Sequence, residues 1–153
     1  MLKLKVINIE ELSIYHQLQI NAFAQLYAKY QDTESNPGAQ SLAFLQERFN
    51  LPGRIHILFY HQDVPIGGAK LIIVNNEAKI GPLFIAQEFQ NQQLGCAALR
   101  LLEKEFPTIH RWYLGTLKQE AHLMHFYQTA GYTVYGEEPI TKDLDEVKFE
   151  KII

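Results

Sequence analysis

The segment 83–103, LFIAQEFQNQQLGCAALRLLE, constrains the fold of this chain more than any other segment does. It begins with apolar residues, continues through a polar segment at 87–93, and ends in apolar residues at helical spacing: Leu94, Ala97, Ala98, Leu101 and Leu102. This pattern predicts a strand, a loop and an amphipathic helix, in that order. The first turn of such a helix has unpaired N–H groups and the positive end of the helix dipole, so we expect it to bind an anion such as a phosphate.

Two common phosphate-binding sequences are absent from this segment. A P-loop needs Gly-x-x-x-x-Gly-Lys-Ser/Thr, and a dinucleotide-binding loop needs Gly-x-Gly-x-x-Gly after the strand. The segment has neither, because its only glycine is Gly95. The anion must therefore be bound by a loop of another kind.

Composition and charge limit the class of protein. We expect one domain over residues 1–153, because 47% hydrophobic and 20% charged residues are typical of a globular chain of this length. The net charge of −3 disfavours a nucleic-acid or anionic-membrane partner and suits a cationic acceptor such as an amine.

Cys96 is the single cysteine, which excludes an internal disulfide and a Cys-x-x-Cys site. The six histidines are scattered, so we expect no metal site. The N-terminus does not resemble a signal peptide, and no apolar run approaches the roughly 20 residues that a membrane span needs. We therefore expect a soluble, cytoplasmic protein.

Hydrophobic periodicity predicts the remaining elements. Strands are predicted at 2–8, 54–60, 65–74, 77–85, 109–114, 132–135 and 146–152, and helices at 10–30, 41–49, 94–106 and 120–130. A break in the first helix at Ile20 and Asn21 is left open, and a loop is expected at 115–119. Gly81-Pro82 predicts a bulge in the fourth strand, because proline cannot donate to a sheet ladder.

Residues 85–95 resemble motif A of the GCN5-related N-acetyltransferases (GNAT family). That motif runs from an apolar strand through Pro-Glu-aromatic and Arg/Gln-x-x-Gly-x-Gly/Ala to a helix rich in Leu and Ala. Ile85 ends the strand, Glu88 and Phe89 correspond to the Glu-aromatic pair, Gln90 to the Arg/Gln, and Gly95 to the second glycine.

The match departs from the motif at two positions. Gln87 replaces the usual proline, and Gln93 lies where the first glycine belongs; an alternative alignment, Gln92-x-x-Gly95-x-Ala97, also fits. In the family these loop amides bind the pyrophosphate of coenzyme A. The resemblance therefore implies a binding site for acetyl-CoA that consists of Phe84, Ile85, Gln90, Asn91, Gln92, Gln93, Leu94, Gly95 and Cys96.

Residues 126–132, FYQTAGY, resemble motif B of the same family, hydrophobic-Tyr-x-x-x-Gly-aromatic. The resemblance implies that Tyr127 protonates the departing thiolate and that a backbone N–H near Ile85 stabilises the oxyanion. The family often has Asn where this chain has Glu120. In the family the loop after the first helix, here at 30–36, borders the acceptor pocket, and it contains Asp32 and Glu34.

The resemblance implies the α/β (α+β) GNAT fold, a mixed and mostly antiparallel sheet of six or seven strands flanked by about four helices. It also implies an acetyl-CoA-dependent N-acetyltransferase that acts on a primary amine of a small molecule or protein, with no assigned general base. The alternatives are a non-catalytic acyl-CoA-binding module and a regulatory subunit that binds no cofactor. Many proteins of this family dimerise, so the resemblance also suggests a homodimer.

Overall fold

The computed structural model describes residues 1–153 and contains one seven-stranded sheet with helices on both faces. The strands are β1 (Leu2–Val6), β2 (Arg54–His61), β3 (Val64–Val74), β4 (Glu77–Ile85), β5 (Arg111–Leu117), β6 (Thr133–Thr141) and β7 (Leu144–Ile152). The helices are α1 (Leu12–Tyr30), α2 (Leu42–Arg48), α3 (Leu94–Glu105) and α4 (Ala121–Thr129). The predicted fold class and the predicted order of elements are confirmed.

The strand order is β1-β2-β3-β4-β5-β7-β6, and only β4 and β5 are parallel. On one face, α3 and α4 cover a core of 18 buried residues that includes Trp112, Leu99 and Phe149. On the other face, α1 and α2 cover a smaller core around Tyr15, Leu58 and Phe84. The sheet therefore separates two apolar layers. The candidate site lies at the junction between β4 and β5.

Several boundaries differ from the prediction. Helix α1 is continuous through Ile20 and Asn21, because the Asn21 side chain bonds Gln87 outside the helix and does not compete for α1's own backbone bonds. Strand β5 begins at Arg111 and extends to Leu117, so the loop predicted at 115–119 is wrong for its first three residues. Those residues pair with β7, a long-range interaction that the local sequence does not reveal.

Strand β6 is longer than the four residues predicted, because it pairs with β7 through Thr141. Its sequence includes Glu137, Glu138 and Pro139, which weaken any local strand signal. These residues are tolerated because β6 is an edge strand, and no other strand pairs with its outer side.

Strands β4 and β5 separate after a short parallel contact. The pairing begins with Glu77 of β4 opposite Arg111 of β5 and ends with Lys79 opposite Tyr113. The register between β3 and β4 shifts at Gly81-Pro82, where the bulge was predicted. The C-terminal half of β4 therefore has no strand partner on the β5 side, and a wedge opens towards the N-terminus of α3.

Candidate active site

The loop between β4 and α3 reverses the chain by a compact route. Residues 87–89 form one 3-10 turn, and the Gln90 side-chain amide donates to the Ile85 carbonyl oxygen at 2.8 Å. Asn91 and Gln93 then adopt left-handed backbone conformations, with φ of 64° and 62°. The Gln90 side chain thus holds the loop together from within, and Gln93 adopts the conformation for which the family motif has glycine.

Six consecutive backbone N–H groups, those of residues 91–96, have no acceptor within the chain. The last three belong to the first turn of α3, and Gln93, the N-cap residue, makes no side-chain cap bond. The Gln93 side chain is exposed. A row of free donors therefore faces outward at the positive end of the α3 dipole, the arrangement that an oxyanion requires.

Gly95 also has a packing role that the sequence did not reveal. A Cβ at this position would lie 3.0 Å from the Phe126 ring, closer than ordinary van der Waals contact. The absence of a side chain lets α4 approach the first turn of α3. Gly95 thus connects the motif A loop to the helix that carries Tyr127.

Tyr127 lies in the core beside this contact. Its ring packs against Phe126, Tyr132 and Phe149, with centroid separations of 4.9, 6.0 and 5.8 Å. The residue is 8% exposed, its hydroxyl makes no hydrogen bond, and burial raises its pKa. Tyr127 is therefore neutral at physiological pH and has a free O–H donor.

Phe84 and Ile85 face different surroundings. The Phe84 ring is buried under α1, 5.1 Å from the Tyr15 ring, so its side chain belongs to the smaller core rather than to the wedge. The Ala86 N–H donates to Ile66 of β3. Because N–H directions alternate along a strand, the Ile85 N–H points the other way, into the wedge.

A polar network that sequence reasoning missed joins α1 to α4. The Glu120 carboxylate accepts from Lys29 at 2.7 Å and from the Tyr30 hydroxyl at 2.5 Å. Burial alone raises the pKa of Glu120, but these two hydrogen bonds outweigh it, and the pKa lies below its ordinary value. No sequence signal predicted this contact, because the partners are about 90 residues apart.

A cavity of about 380 Å³ lies beside this network. Residues 31–35 of the loop after α1 line one side, and Ile140 and Thr141 of β6 line the other. The Asp32 carboxylate is engaged by Ser35 and Asn36, whereas Glu34 is exposed and makes no ion pair. The cavity is therefore bordered by the loop to which the resemblance assigned the acceptor.

Comparison with known proteins assigns the chain to a family. The sequence model of the acetyltransferase (GNAT) family matches residues 20–132. The chain belongs to this family. It is accordingly an N-acetyltransferase of a family that uses acetyl-CoA, as the motifs predicted. No curated protein is significantly similar to it in sequence.

Solved structures of this family have the same fold. The ribosomal-protein-S18-alanine N-acetyltransferase of Escherichia coli superposes with a TM-score of 0.81 at 16% identity, covering 100% of this chain and 94% of the other. The PaiA N-acetyltransferase of Thermoplasma acidophilum, in complex with coenzyme A, gives 0.77 at 21% identity, with coverages of 100% and 99%. The Vibrio cholerae spermidine N-acetyltransferase, in complex with CoA and spermine, gives 0.78 at 18%, with 99% and 95%.

Two features are absent from this GNAT chain. No helix combines the length and apolar character needed to cross a bilayer. No group of three or more His, Cys, Asp or Glu side chains is arranged to hold a metal ion.

Proposed function

We propose that this GNAT protein transfers the acetyl group of acetyl-CoA to a primary amine of a small molecule or protein. The observation that carries the proposal is the row of free N–H groups at 91–96, at the mouth of the wedge between β4 and β5. These donors suit a pyrophosphate, and the unpaired edge of β4 suits an extended amide-containing arm. The solved complexes of family members with CoA support this choice of ligand.

The proposed reaction is a direct transfer. The amine nitrogen attacks the thioester carbonyl, a C–N bond forms, and the carbonyl oxygen becomes an oxyanion that accepts a hydrogen bond from the Ile85 N–H. The C–S bond then breaks, the Tyr127 hydroxyl donates its proton to the departing sulfur, the amine nitrogen loses its surplus proton to solvent, and solvent returns a proton to Tyr127. Because burial raises the pKa of Tyr127, its hydroxyl remains protonated throughout the neutral and mildly alkaline range.

We place the amine acceptor in the cavity between residues 31–35 and β6. Glu34 supplies a free carboxylate to the lining of this cavity, and its charge favours a cationic acceptor over an anionic one. Glu120 is a poor candidate for the base that deprotonates the amine, because its pKa is lowered and its carboxylate is already bonded to Lys29 and Tyr30.

Calorimetric titration of acetyl-CoA into wild-type protein and Gly95→Trp tests the cofactor site. We expect wild type to bind and the variant to bind at least about tenfold more weakly, because the indole displaces Phe126 and fills the loop. Arg100→Trp, an exposed change on the same helix, is the matched control and retains affinity. Absence of binding to wild type at millimolar acetyl-CoA would overturn the proposal.

Turnover of a panel of amines, followed by thiol release, tests the chemistry. Tyr127→Phe is expected to lower kcat by about 10²-fold with little change in the KM for acetyl-CoA. Tyr132→Phe removes a neighbouring hydroxyl that bonds Glu103 and is expected to retain activity. Binding of acetyl-CoA without turnover of any amine would instead identify a non-catalytic acyl-CoA-binding module.

A further inference from the structure

Four cationic side chains lie close together on the sheet face that α1 and α2 cover. We call them the basic cluster: Arg48, Arg54, Lys70 and Lys79. On the sheet, Arg54 and Lys79 both lie opposite Ile72, one on each neighbouring strand, and Lys70 lies opposite His56. Cross-strand neighbours are about 5 Å apart and diagonal ones about 7–8 Å, so the three strand residues surround one small area. Arg48, in the last turn of α2, adds the fourth charge: the next residue, Phe49, stacks on the His56 ring at 5.0 Å, and the Arg48 charge acts on Lys70.

The basic cluster has no compensating anion within the protein. None of its four members forms an ion pair, although nine ion pairs exist elsewhere in this chain, whose net charge is −3. Glu77 lies on the same strand as Lys79, but its carboxylate is bound by Arg111 at 3.0 Å. The cluster is therefore a concentration of uncompensated positive charge.

Buried polar atoms without hydrogen-bond partners point to a missing ligand rather than to a solvated surface. The Nε of Arg54 is buried and has no hydrogen-bond acceptor, and the buried Nδ1 of His56, a residue only 3% exposed, has no hydrogen-bond partner. Burial lowers the pKa of Lys70, and the charges of Arg54, Lys79 and Arg48 lower it further. Unpaired buried charge costs free energy, and an oxyanion at this position would offset that cost.

We propose that the basic cluster binds a phosphate group, as free inorganic phosphate or as the phosphate monoester of a small metabolite. A phosphate has three or more acceptor oxygens and nearly two negative charges, and the guanidinium of Arg54 is suited to bind two of those oxygens. The site is separate from the cofactor loop. Lys79 precedes Ile85 by six residues along β4, or about 20 Å of extended strand.

Calorimetric titration with inorganic phosphate, at constant ionic strength set with chloride, tests this site. Wild type is expected to bind, and the double variant Arg48→Gln/Lys79→Gln to bind at least about tenfold more weakly, because it loses two charge-assisted donors. Both residues are exposed, so the variant should fold. Arg100→Gln/Lys104→Gln removes the same charge from exposed positions on α3 and is expected to bind like wild type.

Two further titrations complete the test, one with a cofactor-loop variant and one with a phosphate ester. Gly95→Trp alters the cofactor loop and should leave phosphate affinity unchanged; a loss of affinity would show that phosphate binds that loop instead. Titration with phosphoserine distinguishes the sources: tighter binding than phosphate supports a metabolite ester, and weaker binding supports the free ion. Equal affinities of wild type and the Arg48→Gln/Lys79→Gln variant, or no phosphate binding, would overturn the proposal.

Discussion

Gln93 shows how one residue both defines the site and departs from the family pattern. Its φ of 62° is in the left-handed region, where a side chain costs roughly 1 kcal/mol and glycine costs little. The loop adopts the backbone path of the motif even though the first glycine is missing. The structure thus retains the free amides at the expense of local backbone strain.

Gln93→Gly is expected to stabilise the protein by up to about 1 kcal/mol and to tighten acetyl-CoA binding several-fold. The gain comes from relief of the left-handed conformation and from the closer approach of a ligand to the backbone. Chemical denaturation and calorimetry measure the two effects. Gln93→Ala removes the long side chain but keeps a Cβ at positive φ, so it should not stabilise the protein; equal gains from both variants would assign the effect to side-chain bulk.

The contact between α1 and α4 is the main element-scale feature of the site. Glu120 precedes the first residue of α4, and its partners Lys29 and Tyr30 are at the end of α1. The loop that lines the acceptor cavity begins immediately after Tyr30. The network therefore fixes that loop relative to the helix that carries Tyr127.

Glu120→Gln is expected to lower the free energy of unfolding by about 1 kcal/mol, a modest value because Lys29 is largely exposed. The neutral amide still accepts from Tyr30 but no longer attracts Lys29. Because the acceptor loop loosens, the KM for the amine should rise more than the KM for acetyl-CoA. Glu137→Gln, which breaks an exposed pair with Lys118, should change stability by less than about 0.5 kcal/mol and alter neither KM; a similar effect of both variants would contradict the positioning role.

The elements that the sequence predicted and those that it missed differ in the range of their interactions. The strand-loop-helix unit at 83–103 was predicted because its periodicity and its polar turn are local properties. The ends of β5 and β6 are set by pairing with β7, and the Glu120 network joins residues about 90 positions apart. Such contacts exist only once the chain has folded. Gly95 is an intermediate case, since its motif was recognised but its contact with Phe126 was not.

At the scale of the whole molecule, the buried histidine under α2 makes stability depend on pH. His56 is 3% exposed, stacks on Phe49, and has a pKa of about 4 because of burial and the nearby charges of Lys70 and Arg54. The unfolded chain binds a proton at this side chain near pH 6.5. Between pH 6.5 and 4 the unfolded state therefore holds more protons than the native state, and stability decreases as the pH falls.

The free energy of unfolding should thus drop by about 2–3 kcal/mol between pH 6.5 and pH 4, a loss that chemical denaturation at several pH values measures. His56→Phe keeps the aromatic stack but cannot take up a proton, so its profile should be flatter over this window, whatever its absolute stability. His125→Gln, a change at an exposed histidine, should retain the wild-type slope. Glu120, with a lowered pKa, adds a further loss only below about pH 4.5, because its stabilising charge is present above that value. An unchanged slope in His56→Phe would mean that other groups, not this buried imidazole, set the acid limit of the fold.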